Sequence, residues 1–301
     1  MSRILVTGGT AFVSKYTATF FRDAGHEVYV LNRNSKPQVE GVKLIEADRH
    51  ELGDTLKGMS FDAVIDITAY TGNDVTDLLS GLGEYGTYIL LSSSAVYPED
   101  EKQPFIEECE LRENKYWGKY GTDKIDAETK ALQLKPDTYI LRPPYLYGPM
   151  NNVYREAFVF DCAEADRPFY LPRDGEMKLQ FFHVKDLCKI MEYIINNKPE
   201  DHILNVGNPD TVSVRKWVEL CYSCLDKTPE FINVRGPIDQ RRYFSFYDYE
   251  YELDVQKQMK ILPDVTDLTE GLMECYKWYK DNKSEVRKKP LIEYIDGELK
   301  L

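Results

Sequence analysis

Six short runs of aliphatic, β-branched and aromatic residues in the first half of the chain constrain its fold most. They are RILVT (3–7), EVYVL (27–31), VKLIEA (42–47), DAVIDI (62–67), TYILLSS (87–93) and TYILRP (138–143). Helix-like or loop segments separate the runs, and the first of these, from Phe12 to Ala24, ends before the helix-terminating Gly25. Apolar runs of this length are typical of strands buried in a parallel sheet. The alternation predicts an α/β fold with a doubly wound parallel sheet, in which ligands bind beyond the carboxyl ends of the strands.

The stretch TGGTAFVS, residues 7–14, follows the first predicted strand directly. In a dinucleotide-binding turn, a first glycine makes the tight turn, a second lets the backbone approach the pyrophosphate, and a third lets helix pack on strand. Gly8 holds the first position, whereas Ala11 and Ser14 hold the second and third. The helix N-terminus still offers N–H groups and a positive dipole end to a diphosphate. The turn alone leaves two interpretations open, a cofactor cradle and a purely structural strand-to-helix turn.

The pattern changes after Pro149 to mixed helix, loop and short strand, rich in Tyr, Phe and Pro. The sequence has no Ser/Gly-rich linker between the two regions and no internal repeat. We therefore expect the second region to pack closely on the first. The sequence predicts a dinucleotide-binding domain at 1–150 and a smaller mixed α/β substrate-binding region at 151–301, some segments of which return to the sheet. A cleft between the two is the expected place for a small-molecule substrate.

Composition excludes several classes of partner. The formal net charge is −13, and no long block of Lys and Arg occurs, which argues against nucleic acid. No window offers the roughly 18 uninterrupted apolar residues of a membrane span. The N-terminal residues fit a first strand better than a signal peptide. The six cysteines are scattered along the chain, and we expect them to be reduced. Both observations favour a cytoplasmic protein. The four histidines show no ligand spacing, and no metal site is predicted.

Two further stretches carry candidate chemistry, LLSSSAVYP (90–98) and KYGTDKIDAE (119–128). Tyr120 and Lys124 lie four apart, so on a helix they share one face. An ammonium about 4 Å from a phenol would lower its pKa by two or three units. A serine at the adjacent strand end could then hydrogen-bond a substrate hydroxyl and complete a proton-transfer and hydride-transfer site. The same Tyr-x-x-x-Lys spacing recurs at Tyr276 and Tyr279, but only Tyr120 follows a buried strand.

The order of several motifs resembles that of the extended short-chain dehydrogenases/reductases, and among them the NAD-dependent epimerase/dehydratase family that acts on nucleotide sugars. The resemblance covers most of the chain and rests on ILVTGGTAFVS, LLSSSAVYP, YGTDK, LRPPYLYGP (141–149), FFHVKDL (181–187), ILNVGN (203–208) and LDVQKQMKIL (253–262). It implies a Rossmann fold, NAD or NADP as cofactor, and a nucleotide sugar as substrate. It also implies a homodimer formed through a four-helix bundle that includes the Tyr120 helix.

The resemblance assigns roles to individual residues. Ser93 would hold the substrate hydroxyl, Tyr120 would act as general acid and base, and Lys124 would lower the Tyr120 pKa and hold the nicotinamide ribose. Asp48 would contact the adenine, with a solvated loop carboxylate as the alternative interpretation. The full set implied to contact the cofactor is Gly8, Thr10, Ala11, Phe12, Val13, Asn32, Arg33, Asp48, Arg49, Ile67, Thr68, Ala69, Tyr120, Lys124 and Pro143. The implied mechanism is transient oxidation, leading to either epimerisation or dehydration.

The chain departs from the family pattern at two further positions. Asn32 stands where an acid usually binds the adenosine 2′-hydroxyl, and Arg33 and Lys36 follow, which leaves both NAD and NADP open. Leu179 replaces the arginine that contacts the substrate phosphate just before the FFHV stretch. The cations that remain as candidates for this contact are Arg173, Lys178, Arg241 and Arg242.

Two other functions stay open. GGTAFVS and FDAVIDITAY (61–70) also resemble a branch of the family that includes chloroplast stem-loop RNA-binding proteins. In that case RRYFSFYDYEYE (241–252) could stack bases on its aromatic rings, although alternating aromatic residues also fit a packed strand. A reductase of small carbonyl compounds could use the same Ser93, Tyr120 and Lys124.

Overall fold

The computed structural model describes residues 1–299 and contains a central parallel sheet. Its first six strands are β1 (Arg3–Thr7), β2 (Glu27–Asn32), β3 (Lys43–Glu46), β4 (Leu56–Asp66), β5 (Leu82–Leu91) and β6 (Tyr139–Arg142). Apolar residues of β1 that point to opposite faces, such as Leu5 and Val6, are all fully buried, because helices cover both sides of the sheet. The predicted doubly wound α/β fold is confirmed.

Two strands are longer than the apolar pattern predicts. β4 begins at Leu56 and β5 at Leu82, whereas the predicted strands begin at 62 and 87. The added segments pair with each other, Leu56 opposite Leu82 and Phe61 opposite Tyr85, with an irregular register in between. They are rich in polar residues and glycine, so the sequence pattern marks only the buried carboxyl-terminal halves that lead to the site.

Helices from both halves of the chain cover the sheet. The first three are α1 (Phe12–Asp23), α2 (Gly72–Gly81) and α3 (Lys119–Leu134). α2 and α3 pack on each other over one face, where Val75 and Ala127 join Leu5 and Val64 in a buried cluster. α1 covers the opposite face.

The second half of the chain contains shorter elements. They are β7 (Tyr145–Tyr147), α4 (Glu156–Glu164), β8 (Phe169–Pro172), β9 (Lys178–Leu179), β10 (Phe181–His183), α5 (Val184–Asn197), β11 (Ile203–Asn205), β12 (Val212–Ser213), α6 (Val214–Ser223), β13 (Phe231–Val234), α7 (Gln256–Met259), α8 (Leu268–Asp281) and α9 (Leu291–Gly297). β7 pairs with β10 and β8 with β13 in parallel, and β9 pairs with β12 antiparallel. α4, α6 and α8 pack together in a core rich in aromatic rings.

β11 and α5 belong to the second half of the chain but pack with the central sheet and its helices. β11 adds to the sheet beside β6, giving the order β11-β6-β5-β4-β1-β2-β3, and α5 packs beside α1. The domain boundary near residue 150 stays a prediction. Within residues 1–299, none of the helices combines the length and the apolar character needed to cross a bilayer.

A buried ion pair ties α3 to the sheet. Arg142 Nη2 donates to Glu128 Oε2 at 2.6 Å and its Nε donates to Oε1 at 3.0 Å, and each residue is only 2% exposed. The Ser92 hydroxyl also donates to Glu128, and Arg142 Nη1 donates to the Tyr97 hydroxyl at 2.8 Å. Buried charges are tolerated when they are paired and hydrogen-bonded in this way. One carboxylate therefore joins α3, β6 and the residue that follows β5.

Replacing Glu128 by Gln is expected to destabilise the fold strongly, because Arg142 would remain buried without a counter-charge. Loss of one partner of a buried pair costs about 3–5 kcal/mol of the free energy of unfolding, measurable by urea denaturation. Asp123→Asn on the same helix is the matched control: it breaks an exposed pair with Lys119 of 2.6 Å, and such pairs contribute at most about 1 kcal/mol. Equal, small losses in both variants would contradict the assignment.

Candidate active site

A cavity of about 510 Å³ lies beyond the carboxyl ends of four neighbouring strands. Segments that follow β1, β4, β5 and β6 form one wall, and α3 adds Tyr120 and Lys124. The residues of this wall, from the strand ends and the start of α1, are Ala11, Phe12, Val13, Ser14, Ile67, Thr68, Ser92, Ser93, Ser94, Pro143 and Pro144. The second half of the chain closes the other side with Tyr145, Arg155, Tyr251 and Arg287 among others. Ligands of doubly wound sheets bind at this edge.

The three predicted catalytic residues meet in this cavity. Ser93 follows β5 and caps a short 3₁₀ turn, where its Oγ accepts a hydrogen bond from the Ala95 amide at 3.2 Å. α3 begins beside this turn, so its first two turns bring Tyr120 and Lys124 to the same space. The approach depends on Gly121, because a Cβ there would lie 2.5 Å from the Ala95 carbonyl oxygen. The close packing of α3 against the turn after β5 thus brings the three residues into one site.

Lys124 is 2% exposed and is held by the backbone. Its Nζ donates to the carbonyl oxygens of Ala69 at 2.7 Å and Leu91 at 2.8 Å. Burial lowers the pKa of Lys124 to about 8, so the ammonium form still dominates at neutral pH. An ammonium carries three N–H donors, and the two carbonyls use two of them. The remaining donor is available to a ligand in the cavity.

The expected lowering of the Tyr120 pKa by Lys124 is a point of correction. Desolvation in the cavity raises the pKa of Tyr120, and both the Ser93 hydroxyl and the charge of Arg155 oppose that shift. The Lys124 ammonium donates to the carbonyl oxygens of Ala69 and Leu91. Tyr120 is accordingly a protonated phenol at neutral pH in this structure, ready to donate a proton.

The turn after β1 is built around two glycines. Gly8 and Gly9 have φ angles of +90° and +93°, a region that favours glycine. A Cβ on Gly8 would lie 2.8 Å from Ser14 Oγ and 2.9 Å from Thr68 Cγ2, and a Cβ on Gly9 would lie 2.5 Å from Val30 Cγ1. Both the backbone conformation and the surrounding space therefore require glycine here.

Ala11 and Ser14, which stand at the second and third glycine positions of the turn, leave the cavity open. Ala11 immediately precedes α1 in an extended conformation. Ser14 is 4% exposed, and its Oγ donates to the Ala11 carbonyl at 2.9 Å. The extra hydroxyl is thus satisfied within the turn, while both residues still line the cavity. The amides at the start of α1 keep their exposure to a ligand on that side.

A second cavity of about 350 Å³ adjoins the first, and Thr68 and Tyr70 line both. The implied cofactor residues that line it are Gly8, Thr10, Asn32, Arg33, Asp48, Arg49 and Thr68. Those that line the larger cavity are Ala11, Phe12, Val13, Ile67, Thr68, Tyr120, Lys124 and Pro143. Ala69 lines neither cavity: its side chain is fully buried, and its carbonyl accepts from Lys124.

Asn32 stabilises the turn after β1 through side-chain hydrogen bonds. Its Nδ2 donates to the Gly8 carbonyl at 2.6 Å and to Gln38 Oε1 at 3.0 Å. Its Oδ1 accepts from the Asn34 amide at 2.9 Å and from Gln38 Nε2 at 3.2 Å. Both donors and both lone pairs of the amide are thereby used. Nothing in the Asn32 side chain remains to bind a ribose hydroxyl, although the residue lies at the position where the family carries an acid.

The neighbouring charged residues of the second cavity differ in their surroundings. The Arg33 side chain is 77% exposed and lies 3.7 Å from Asp48. Asp48 Oδ1 accepts from the His50 amide at 3.0 Å and so caps a short turn. Arg49 is largely buried and donates to Asp66 at 2.8 Å. Arg33 is therefore the freest cation of this group to meet a ligand.

A buried hydrogen-bond network at the end of β4 is not predicted by the sequence motifs. Asp66 is fully buried and accepts from Thr7 Oγ1 at 2.7 Å, Tyr88 Oη at 3.0 Å and Arg49 Nη2 at 2.8 Å. The available signal is the acid inside the apolar run DAVIDI, since a buried carboxylate needs partners. Arg49, implied to contact the cofactor, is thus first of all the counter-charge of Asp66.

Most aromatic rings of the segment 241–252 face the protein interior. Tyr243, Phe244, Phe246, Tyr249 and Tyr251 are each at most 8% exposed. Side chains that stack on bases need an open ring face. The segment is therefore a packed part of the core, and these five rings are closed to RNA bases.

The four cations that could bind a substrate phosphate also differ in their exposure and in their position relative to the cavities. Arg173 is 73% exposed and forms an ion pair with Asp248. Lys178 and Arg242 are exposed and line neither cavity. Arg241 is half-buried and lies close enough to the larger cavity to interact with charges on its wall.

Among residues 1–299, no group of His, Cys, Asp and Glu side chains is arranged to hold a metal ion.

Known proteins are similar to this chain in sequence and in fold. The chain is 26% identical over 302 residues to the chloroplast stem-loop binding protein of 41 kDa b from Arabidopsis thaliana, covering 91% of this chain and 78% of the relative. Among solved structures, dTDP-glucose 4,6-dehydratase from Bacillus anthracis in complex with NAD has a TM-score of 0.76 at 18% identity, covering 97% of this chain and all of that one.

A further solved structure is UDP-glucuronic acid 4-epimerase from Bacillus cereus in complex with UDP-glucuronic acid and NAD. Its TM-score is 0.73 at 16% identity, and the alignment covers 93% of this chain and 99% of that one. At these identities the likeness to solved structures establishes the fold.

The family follows from the sequence match. The model of the NAD dependent epimerase/dehydratase family matches residues 4–80 and 73–207, which include the glycine turn, the three candidate catalytic residues and the returning strand β11. This match confirms the family and the enzyme class that the motifs predict. The chain belongs to the NAD dependent epimerase/dehydratase family.

Proposed function

We propose that the protein is an NAD(P)-dependent epimerase or dehydratase that acts on a nucleotide sugar by transient oxidation. The observation that carries the proposal is the meeting of Ser93, Tyr120 and Lys124 in one cavity with the turn that begins α1. Nucleotide-sugar enzymes among the structural neighbours support the substrate class. The predicted homodimer stays a prediction.

The residues present fit a dinucleotide. The two joined cavities, of about 350 and 510 Å³, extend from Arg33 and Asp48 past the turn to Tyr120. Gly8 has no side chain to fill this space, and the first amides of α1 favour a diphosphate. Lys124 has a free N–H donor for a ribose hydroxyl. When bound, the nicotinamide would accept a hydride from the substrate carbon and return it.

The side chains supply proton transfer and orientation. Ser93 would hydrogen-bond the reacting substrate hydroxyl and hold it beside the Tyr120 oxygen. Tyr120 as phenolate would take the hydroxyl proton while the carbon becomes a carbonyl, and as phenol it would return that proton when the carbonyl is reduced. The raised pKa of Tyr120 favours the proton-donating form. The charge of bound ligands and of Lys124 would therefore decide how readily the phenolate forms.

The name of the Arabidopsis relative points to RNA binding as a second candidate function. The net charge of −13 and the buried rings of segment 241–252 weigh against it. An enzyme also accounts for the shared cavity of Ser93, Tyr120 and Lys124, whereas a binding module has no use for it.

Tyr120→Phe is expected to lower turnover about 10²–10⁴-fold, because the phenylalanine has no proton to exchange. Turnover would be followed by separating the products of a panel of UDP-, dTDP- and GDP-sugars incubated with NAD or NADP. Tyr276→Phe is the matched control, since Tyr276 has the same spacing to Lys280 but lies on α8. Full activity of Tyr120→Phe would refute the mechanism, and competition by stem-loop RNA for the cofactor would favour the alternative.

NADP is expected to bind at least as tightly as NAD, because Asn32 is fully hydrogen-bonded and Arg33 is free to meet a 2′-phosphate. Arg33→Ala should weaken NADP binding about tenfold more than NAD binding, as judged by calorimetric titration. Lys57→Ala removes an exposed cation near the start of β4, at the opposite edge of the sheet, and should change neither affinity. An equal effect of Arg33→Ala on both cofactors would exclude this role.

A further inference from the structure

Four cations beside the larger cavity lack a carboxylate partner, although the chain has 51 acidic residues against 38 Lys and Arg. They are Arg155, Arg241, Arg287 and Lys289, and within residues 1–299 none of them has a carboxylate oxygen within 4.0 Å. Their neighbour Lys288 pairs with Asp161 at 2.7 Å. Unpaired cations in so acidic a protein point to a negative group that is supplied from outside.

Three of these cations, Arg155, Arg241 and Lys289, are close enough for their charges to repel one another. Burial lowers the pKa of Lys289, and the charges of Arg241 and Arg155 lower it further. Burial also lowers the pKa of Arg241, and Arg155 adds to that effect. Like charges held together raise the free energy of the unliganded site. An anion bound among them would remove this repulsion.

Arg155 and Arg287 reach the cavity that holds Ser93 and Tyr120. The Arg155 guanidinium lies 4.9 Å from the ring centre of Tyr145, and its Nη1 donates to the Leu146 carbonyl at 3.3 Å. A guanidinium has five N–H donors, so most of them stay available. Arg287 belongs to the segment after α8, and its amide donates to the Asn152 carbonyl at 2.9 Å.

Tyr145 provides an independent sign of a ligand. The residue is 4% exposed and lines the cavity, yet its hydroxyl has no hydrogen-bond partner among the residues that the structure describes. Buried polar groups without partners are rare in folded proteins. Its ring lies against Arg155, so the free hydroxyl and the guanidinium belong to the same wall.

We propose that Arg155 and Tyr145, with Arg287 at the edge of the cavity, bind a phosphate group of the substrate. Arg241 and Lys289 would add positive potential from behind this wall. The assignment rests on the proposed function and identifies which residues replace the arginine that Leu179 has displaced. The phosphate would share the cavity with Ser93 and Tyr120, so that the sugar attached to it could reach them. The phosphate could be that of a nucleoside diphosphate sugar or of a simple sugar phosphate.

The test is calorimetric titration with two probes, UDP and glucose 1-phosphate, each with saturating NADP so that the diphosphate cradle at α1 is filled. Arg155→Met should weaken the better probe about tenfold or more, and Tyr145→Phe should weaken it several-fold. Arg287→Met changes an exposed position and tests the subsite without disturbing the core. Arg242→Met is the matched control, because Arg242 lies over Tyr294 and outside the cavity. Binding of UDP alone would assign the phosphate to a nucleotide sugar, and binding of both probes would assign it to sugar phosphates in general.

Unchanged affinity in both Arg155→Met and Arg287→Met would overturn the proposal, as would a wild-type protein that binds neither probe. Failure of the proposed function would show itself differently, as the absence of a melting shift with any nicotinamide cofactor. Variants that keep the cofactor-induced shift and lose only probe affinity would support the subsite. A variant that keeps the wild-type melting temperature without ligand, but loses both the cofactor-induced shift and the probe affinity, would contradict a role confined to the substrate phosphate.

Discussion

The ion pair between Glu128 and Arg142 lies beneath the candidate active site and joins the elements that carry it. Glu128 is one turn beyond Lys124 on α3, Arg142 precedes Pro143 at the end of β6, and Ser92 precedes Ser93 after β5. Because the pair is buried and hydrogen-bonded, its geometry is fixed, and a shift of α3 along the sheet would expose an unpaired charge. The relative positions of Ser93, Tyr120 and Lys124 depend on this constraint.

Charge organises the rest of the site. The protein is acidic overall, yet the cavity is bordered by the first amides of α1, by the Lys124 ammonium, and by Arg155 and Arg287 on the opposite wall. Such an arrangement concentrates positive potential in a cleft and draws in anionic ligands. A phosphorylated cofactor on one side and a phosphorylated substrate on the other would place their uncharged reacting parts between them, beside Tyr120.

The sequence predicts the fold and the gathering of the triad because both follow local rules. β1 has the predicted bounds, since its apolar run is fully buried, and Tyr120 and Lys124 share a face through helical spacing alone. The direction of the Tyr120 pKa shift depends instead on burial in the cavity, which residues distant in sequence create together. Arg155 lies outside the motifs, and Tyr145 lies within LRPPYLYGP without being marked as a ligand-binding residue, because the role proposed for both depends on which residues fold against them.

The most direct measurement of the central claim is the melting temperature of the purified protein with NAD, NADP, NADH and NADPH in separate samples. A ligand at a hundred times its dissociation constant adds about 2.7 kcal/mol of stability. We predict a rise in Tm with at least one of the four, and no rise in Gly8→Val, whose side chain would collide with Ser14 and Thr68. No rise with any cofactor, in protein shown to carry none from purification, would contradict a redox function for this cavity.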